Sequence, residues 1–114
     1  MILSRAQIDQ AIDRQLVAVD VPEWGGSVML RPLSLQERYA FLEFARAAGA
    51  ADTAHADVAS IQARLIQLCA CDEHGGRLWG DTELQHIASR SSAVVDRLFQ
   101  SCQALCGMSA ERPT

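Results

Sequence analysis

Residues 17–31 read VAVDVPEWGGSVMLR, and this stretch decides the fold. Residues 17–21 carry a valine at every second position, which is the period of a β-strand. Residues 27–31 form a second short run with alternating apolar side chains. Between the two runs, the proline cannot donate to a strand ladder and the two glycines permit a positive φ. The stretch therefore predicts a β-hairpin closed by a turn at residues 22–26.

Two helices are predicted on either side of this hairpin. The segment Ser4–Arg14 begins with a capping box, a hydroxyl followed three residues later by an amide, and has apolar residues at positions 8, 11 and 12 on one face. A second capping box at Ser34 and Glu37 opens a longer helix that ends at Gly49. The predicted inner face of this helix comprises Leu35, Tyr39, Leu42 and Ala45, widened by Phe41 and Phe44.

Three more helices are predicted in the second half of the chain. The first runs from Asp57 to about Cys71, the second is capped by Asp81 or Thr82 with Glu83 in its first turn, and the third is capped by Ser91 or Ser92 and stopped by Gly107. A turn at 72–76 and a short extended piece at 77–79 separate the first two. The predicted inner faces are Val58, Ile61, Leu65 and Leu68, then Leu84, Ile87 and Ala88, then Val95, Leu98, Cys102 and Leu105.

The sum of these elements is an α+β fold, an N-terminal β-hairpin with a small bundle of about five α-helices. A two-stranded hairpin alone is marginally stable in water, so it must pack on the helices or pair with another chain. The 114 residues are enough for one domain, which we place at 1–107, with 108–114 as a flexible C-terminal tail.

Composition excludes several classes of function. The net charge of −4 argues against a nucleic-acid partner, because neutralising phosphates requires a surplus of cations. All ten basic residues are arginine, which removes mechanisms that need a lysine amine. No apolar run approaches the roughly 20 residues that span a bilayer, and the first residues do not resemble a signal peptide. We therefore expect a cytoplasmic protein with no membrane partner.

The four cysteines are the strongest candidates in the sequence for a site with chemical activity. Cys69, Cys71, Cys102 and Cys106 could in principle offer four thiolates to zinc. Their spacing does not match the usual C-x₂₋₄-C knuckles, and free cysteines are often simply buried. The histidines do not pair on a helix face, and no nucleophile motif is present. We expect no catalytic residue, no cofactor and no metal.

Trp24 lies at the tip of the predicted hairpin. A tryptophan at that place either folds back onto the domain or anchors a partner, because tryptophan is enriched among binding hot spots. The sequence leaves both alternatives open.

Four segments resemble one family in both order and spacing. They are VDVPEWGGSVMLRPLSLQER at 19–38, CDEHGGRLW at 71–79, DTEL at 81–84 and SSAVVDRL at 91–98. Together they resemble the tail assembly chaperones of long-tailed bacteriophages and prophages, across roughly Val17 to Gly107. Trp79 stands where that family usually has phenylalanine.

The resemblance implies a non-catalytic assembly factor. Such a protein binds the long, mostly helical tape measure protein in the host cytoplasm and keeps it soluble until tail-tube subunits polymerise around it. The tail-tube protein is a further candidate partner. The chaperone then leaves and is absent from the mature virion.

A chaperone of this kind needs adhesive surface rather than an active site. Two sources are expected, the outer edge of the hairpin and excess apolar surface on the helices. Both also predict a homo-oligomer, built partly through the hairpin. The candidate partner-binding residues are Trp24, Val28, Met29, Leu30, Phe41 and Phe44.

Two other functions compete with this one. The first is a small tail-completion or connector protein that stays in the virion. The second is a small zinc-binding or thiol-dependent domain that uses the four cysteines.

Overall fold

The computed structural model describes residues 1–49 and 54–108 of the chain. Within those residues it confirms the predicted α+β class, with an N-terminal hairpin and five α-helices. The predicted tail lies outside the described residues apart from Met108. In chain order the elements are α1 (Arg5–Gln10), β1 (Val17–Val21), a 3₁₀ turn (Pro22–Trp24), β2 (Gly26–Leu30), α2 (Leu35–Gly49), α3 (Ala54–Cys69), β3 (Ala70–Cys71), α4 (Leu84–Ala88) and α5 (Ser92–Leu105).

The hairpin forms as predicted. β1 and β2 pair antiparallel, with Val19 opposite Val28 and Val21 opposite Gly26. The turn between them closes because Gly25 adopts a φ of 79° and donates its N–H to the carbonyl oxygen of Pro22 at 3.0 Å. Val21 is fully buried, so one face of the hairpin lies on the helices.

A third strand was not predicted. β3 pairs antiparallel with the end of β2, with Met29 opposite Cys71, where the sequence predicted the end of a helix. Two residues are too few to show a period, and only their pairing partner defines them as a strand. β2 is consequently the central strand, and within the described residues β1 has a pairing partner on one side only.

The last turns of α3 form the centre of the core. Residues 65–71 are all buried, and α3 contacts α2, α4 and α5. The predicted inner face is confirmed for Leu65 and Leu68 but is wrong for Val58, whose side chain is 55% exposed. The buried Gln67 is satisfied by Arg64 and by the carbonyl oxygen of Gly80. The last turns of α3 are buried on every side and therefore belong to the core rather than to the surface.

The last two helices present the predicted faces to this core. Ile87 of α4 and Leu98 of α5 are buried, and α5 follows Ser91 as predicted. The predicted caps of α4 are wrong, because its N-cap residue is Glu83. The carboxylate of Asp81 instead accepts hydrogen bonds from two arginines of neighbouring segments.

α1 is capped as predicted, but it ends at Gln10 rather than extending to Arg14, and it does not pack. Ser4 and Gln7 form the capping box, yet none of the residues of α1 is buried. Ile8 is 56% exposed and Ile12 is 86% exposed. A shared apolar face identifies a helix but does not say what covers that face, and here no described part of the chain does.

None of the helices in the described part of the chain combines the length and the apolar character that crossing a membrane requires.

The core can be tested at Leu98. We expect Leu98→Ala to lower the free energy of unfolding by about 2–5 kcal/mol, because it removes fully buried methyl groups and leaves a cavity. Leu78→Ala is the control. Because Leu78 is 47% exposed, this substitution should lower the free energy of unfolding by less than about 1 kcal/mol. Urea unfolding monitored by circular dichroism measures both, and equal losses would contradict the assignment of α5 to the core.

Candidate partner-binding surface

The six predicted partner-binding residues divide into two groups. Leu30, Val28 and Phe41 are 0%, 9% and 7% exposed and belong to the core. Met29 and Phe44 are half-buried, and Trp24 is 38% exposed. The first group holds the fold together, so only the second group offers side-chain surface to a partner.

α2 is rotated relative to the prediction. The side chains expected to face inward at Leu35, Tyr39 and Leu42 are 73%, 60% and 43% exposed. Phe41 and Phe44, which the prediction added to that face, are buried and half-buried, so the helix packs on the side where these two residues lie. We call Leu35, Tyr39 and Leu42 the outer stripe, since they follow one another at i, i+4 and i+7 on the same side of α2.

A shared carboxylate sets this rotation. Both Arg31 Nη2 and Arg14 Nη1 donate to Glu37, each at 2.7 Å. The capping box adds two bonds, from the Ser34 N–H to the Glu37 carboxylate at 2.9 Å and from the Glu37 N–H to Ser34 Oγ at 3.2 Å. Arg31 also donates to the carbonyl oxygen of Gly75 at 3.1 Å. The first turn of α2 is thereby tied to the end of β2 and to the 72–76 turn.

The environment of Glu37 favours its charged form. Burial alone would raise its pKa, but the Ser34 N–H and the charges of Arg31 and Arg14 outweigh burial and hold the pKa below the ordinary value of 4.5. The carboxylate is therefore ionised at neutral pH and holds both guanidinium groups.

A notch of about 260 Å³ opens where three distant segments meet. Trp24 from the hairpin turn, Trp79 from the segment after β3 and Arg90 from the loop after α4 line it. We call this the Trp notch. Trp79 is half-buried against the core, and Arg90 is exposed. The sequence singled out Trp24, but no local pattern could show that Trp79 and Arg90 lie beside it.

The first residues of the chain form an uncovered arm. We call residues 1–12 the N-terminal arm, which carries large apolar side chains that are more than half exposed. An open cavity of about 390 Å³ lies at its base, beside Arg14 and His74. The apolar side chains of the arm are Met1, Ile2, Leu3, Ile8 and Ile12.

The cysteines lie in packing positions. Cys69, Cys71 and Cys102 are buried, and Cys106 is half-buried with its Sγ 3.8 Å from that of Cys69. A hydrogen bond with the Cys102 thiol, together with burial, raises the pKa of Cys69. A hydrogen bond with Cys69, together with burial, raises that of Cys106. These thiols are protonated at neutral pH, which is the unreactive form.

Among the side chains described, those at 1–48 and 58–108, no group of three or more His, Cys, Asp or Glu residues is arranged to hold a metal ion. Cys71 pairs through its backbone with Met29 in the sheet, while Cys69 meets Cys106 of α5.

Comparisons with known proteins agree with one another. A family model described as "Phage tail assembly chaperone" matches residues 7–113. Among solved structures, the tail assembly chaperone of bacteriophage HK97 is similar, with a TM-score of 0.63 and 21% identity over 88% of this chain and 90% of that chain. At that identity the likeness shows a shared fold. No curated protein matches.

The role of Glu37 predicts a pH dependence. Glu37→Gln should lower the free energy of unfolding at pH 7 by about 1–3 kcal/mol, because the partly buried Arg31 loses a charged partner. The folded pKa is lowered, so the contribution of this carboxylate is complete above pH 4.5 and is lost as the pH falls through the folded-state pKa. The difference between wild type and variant should therefore shrink toward acid pH.

Urea titrations at several pH values between 7 and 3 measure this difference. Glu43→Gln is the matched control, since Glu43 pairs with Arg46 on the exposed face of α2 and should cost no more than about 0.5 kcal/mol. If the difference in free energy of unfolding between wild type and Glu37→Gln stays constant with pH, the charge of Glu37 does not have the stabilising role given to it here.

Proposed function

Because the chain belongs to the phage tail assembly chaperone family, we propose that it binds the tape measure protein and keeps that protein soluble while the tail tube is assembled around it. It acts in the host cytoplasm by non-covalent binding, without catalysis, cofactor or metal. The tail-tube protein is a second candidate partner. The chaperone leaves before the tail is complete and is absent from the mature virion.

The observation that carries this proposal is the outer stripe. Soluble monomers rarely leave contiguous large apolar side chains uncovered unless another molecule covers them. Here Leu35, Tyr39 and Leu42 lie along one helix whose other side packs on the core through Phe41 and is held by the ion pairs of Glu37. An apolar helix face held in this way is a suitable surface for the apolar face of a long helical client.

The chain also has the means to associate with itself. The edge of β1 that no described strand covers offers backbone N–H and C=O groups, and the N-terminal arm adds exposed apolar side chains. We propose a homo-oligomer built partly through the hairpin, by pairing of strand edges between copies.

The role of the outer stripe can be tested by co-expression with the tape measure protein of the phage that encodes this chain. The double variant Leu35→Glu/Tyr39→Glu should lose most of the client from the soluble fraction, because two charges would have to be buried against an apolar client. The measured quantity is the soluble client recovered per cell, compared with wild type.

Gln36→Glu/Ala40→Glu is the matched control. These two positions are exposed on the same helix, have the same i, i+4 spacing and receive the same added charge, but lie off the outer stripe. We expect the control to retain wild-type recovery. If both double variants give the same amount of soluble client, the outer stripe is not the client-binding surface. If the client is insoluble even with the wild-type chain, the proposed function is wrong.

The protein content of purified virions distinguishes an assembly chaperone from a connector protein. Mass spectrometry of mature particles should detect the tail-tube protein but not this chain. Its presence at a stoichiometric level would favour a tail-completion or connector protein instead.

Self-association can be measured without the client. Analytical ultracentrifugation at tens of micromolar should show species larger than the 12.4 kDa chain. A single monomeric species at that concentration would contradict the proposed oligomer.

A further inference from the structure

Arg90 differs from the other arginines that the structure describes. Nine of the ten arginines of the chain fall within residues 1–49 and 54–108. Seven of them donate hydrogen bonds from the guanidinium to a carboxylate or carbonyl oxygen, and Arg5 forms an ion pair with Asp9 at 3.6 Å. The Arg90 side chain makes no such contact with the side chains described at 1–48 and 58–108 or with a described carbonyl oxygen. Its guanidinium is therefore a cation without a counterion in the described part of the chain.

The surroundings of Arg90 make this charge useful for binding. The carboxylate next to Trp24, that of Glu23, already accepts two hydrogen bonds from Arg97, at 2.7 and 3.2 Å, so it is not available to Arg90. The walls of the Trp notch are two indole rings, one of them 38% exposed. The Trp notch thus combines a large apolar surface with one positive charge for which the described side chains provide no counterion.

We propose that the Trp notch binds an acidic–apolar pair of side chains on the client, a glutamate or aspartate next to a leucine, isoleucine, phenylalanine or methionine. The carboxylate pairs with the guanidinium of Arg90, and the apolar side chain lies against Trp24 and Trp79. This inference rests on the proposed function, because it names the client chemistry that a second surface of the chaperone recognises.

The geometry favours a pair of side chains over other ligands. A volume of about 260 Å³ is below the roughly 300–1,000 Å³ of small-molecule and cofactor sites. A cationic ligand would be attracted to the indole faces but repelled by Arg90. An ion pair between a carboxylate and an exposed arginine contributes at most about 1 kcal/mol to the free energy of binding. Contact with the indole rings must therefore supply most of the affinity.

A second copy of the chain fits the Trp notch less well. A symmetric contact of one Trp notch with another would bring two Arg90 side chains together, and their like charges repel. The anion must therefore come from a different surface, and in this proposal an acidic side chain of the client supplies it.

The test uses overlapping immobilised peptides that span the tape measure protein of the same phage, with the full chain as the probe. The wild-type chain should bind peptides in which an acidic residue lies next to a large apolar one. Arg90→Glu should weaken their binding roughly tenfold or more, which corresponds to about 1.4 kcal/mol. It should also gain binding to the same peptides synthesised with lysine in place of the acidic residue, a reversal that a structural role for Arg90 would not produce.

Trp24→Ala should lose binding to both peptide sets, because it removes the apolar wall. Arg5→Glu is the matched charge reversal, on an exposed arginine of α1 that lies outside both the Trp notch and the outer stripe, and it should bind as wild type. Circular dichroism checks that each variant is folded. If Trp24→Ala does not fold, the result for Arg90→Glu alone decides the test.

The outcomes separate the two proposals. If Arg90→Glu binds the peptides as tightly as the wild-type chain does, and soluble client is still recovered in co-expression, the proposed role of the Trp notch is wrong. The proposed function is not affected by that result. No peptide bound by the wild-type chain, together with insoluble client, overturns the proposed function itself. If Arg90→Glu loses self-association in the ultracentrifuge but keeps peptide binding, the occupant is a second copy, and the proposal is wrong.

Discussion

Burial of residues 65–71 is the constraint on which the rest of the structure depends. The chain leaves α3 at Cys69 and enters β3 at once, so the most buried helix and the third strand are one continuous piece. That piece contacts three helices on its helical part and pairs with β2 on its extended part. The hairpin is therefore supported within the described chain, because β3 pairs with the edge of β2 and the helices bury its inner face at Val21. Its outer edge at β1 is left for other uses.

Given that core, a polar cluster decides which surface of α2 faces outward. Both sides of α2 carry large apolar residues, so hydrophobic burial alone does not choose between them. Glu37 lies on the same side as Phe41, and its two arginine partners come from the end of β2 and from the segment before β1. Turning the helix over would move this carboxylate away from Arg31 and leave that guanidinium, 12% exposed, without a carboxylate. The rotation that satisfies the charges is the one that exposes Leu35, Tyr39 and Leu42.

This explains which parts of the molecule the sequence could predict. The hairpin and the inner faces of α4 and α5 follow from short-range periods with one apolar side, and the structure confirms them. The prediction for the face of α2 is wrong at Leu35, Tyr39 and Leu42, because two apolar stripes compete and the deciding ion pairs join residues far apart in the chain. The same applies to the Trp notch, which needs Trp24, Trp79 and Arg90 to meet although 66 positions separate the first from the last. Periodicity gives the elements, whereas the candidate binding surface arises from how the elements are rotated and juxtaposed.

The separation of core from adhesive surface has a physical reason in a protein proposed to hold a client. If the same side chains both filled the core and bound the client, the chaperone would gain affinity only by losing stability. Here Leu30, Val28 and Phe41 are committed to the core, and the outer stripe and the Trp notch lie on elements that the core already holds in place. The exposed apolar groups can therefore be exchanged between client and water at little cost to the fold. A chaperone that must release its client needs this independence, since release returns the apolar surface to water while the core stays intact.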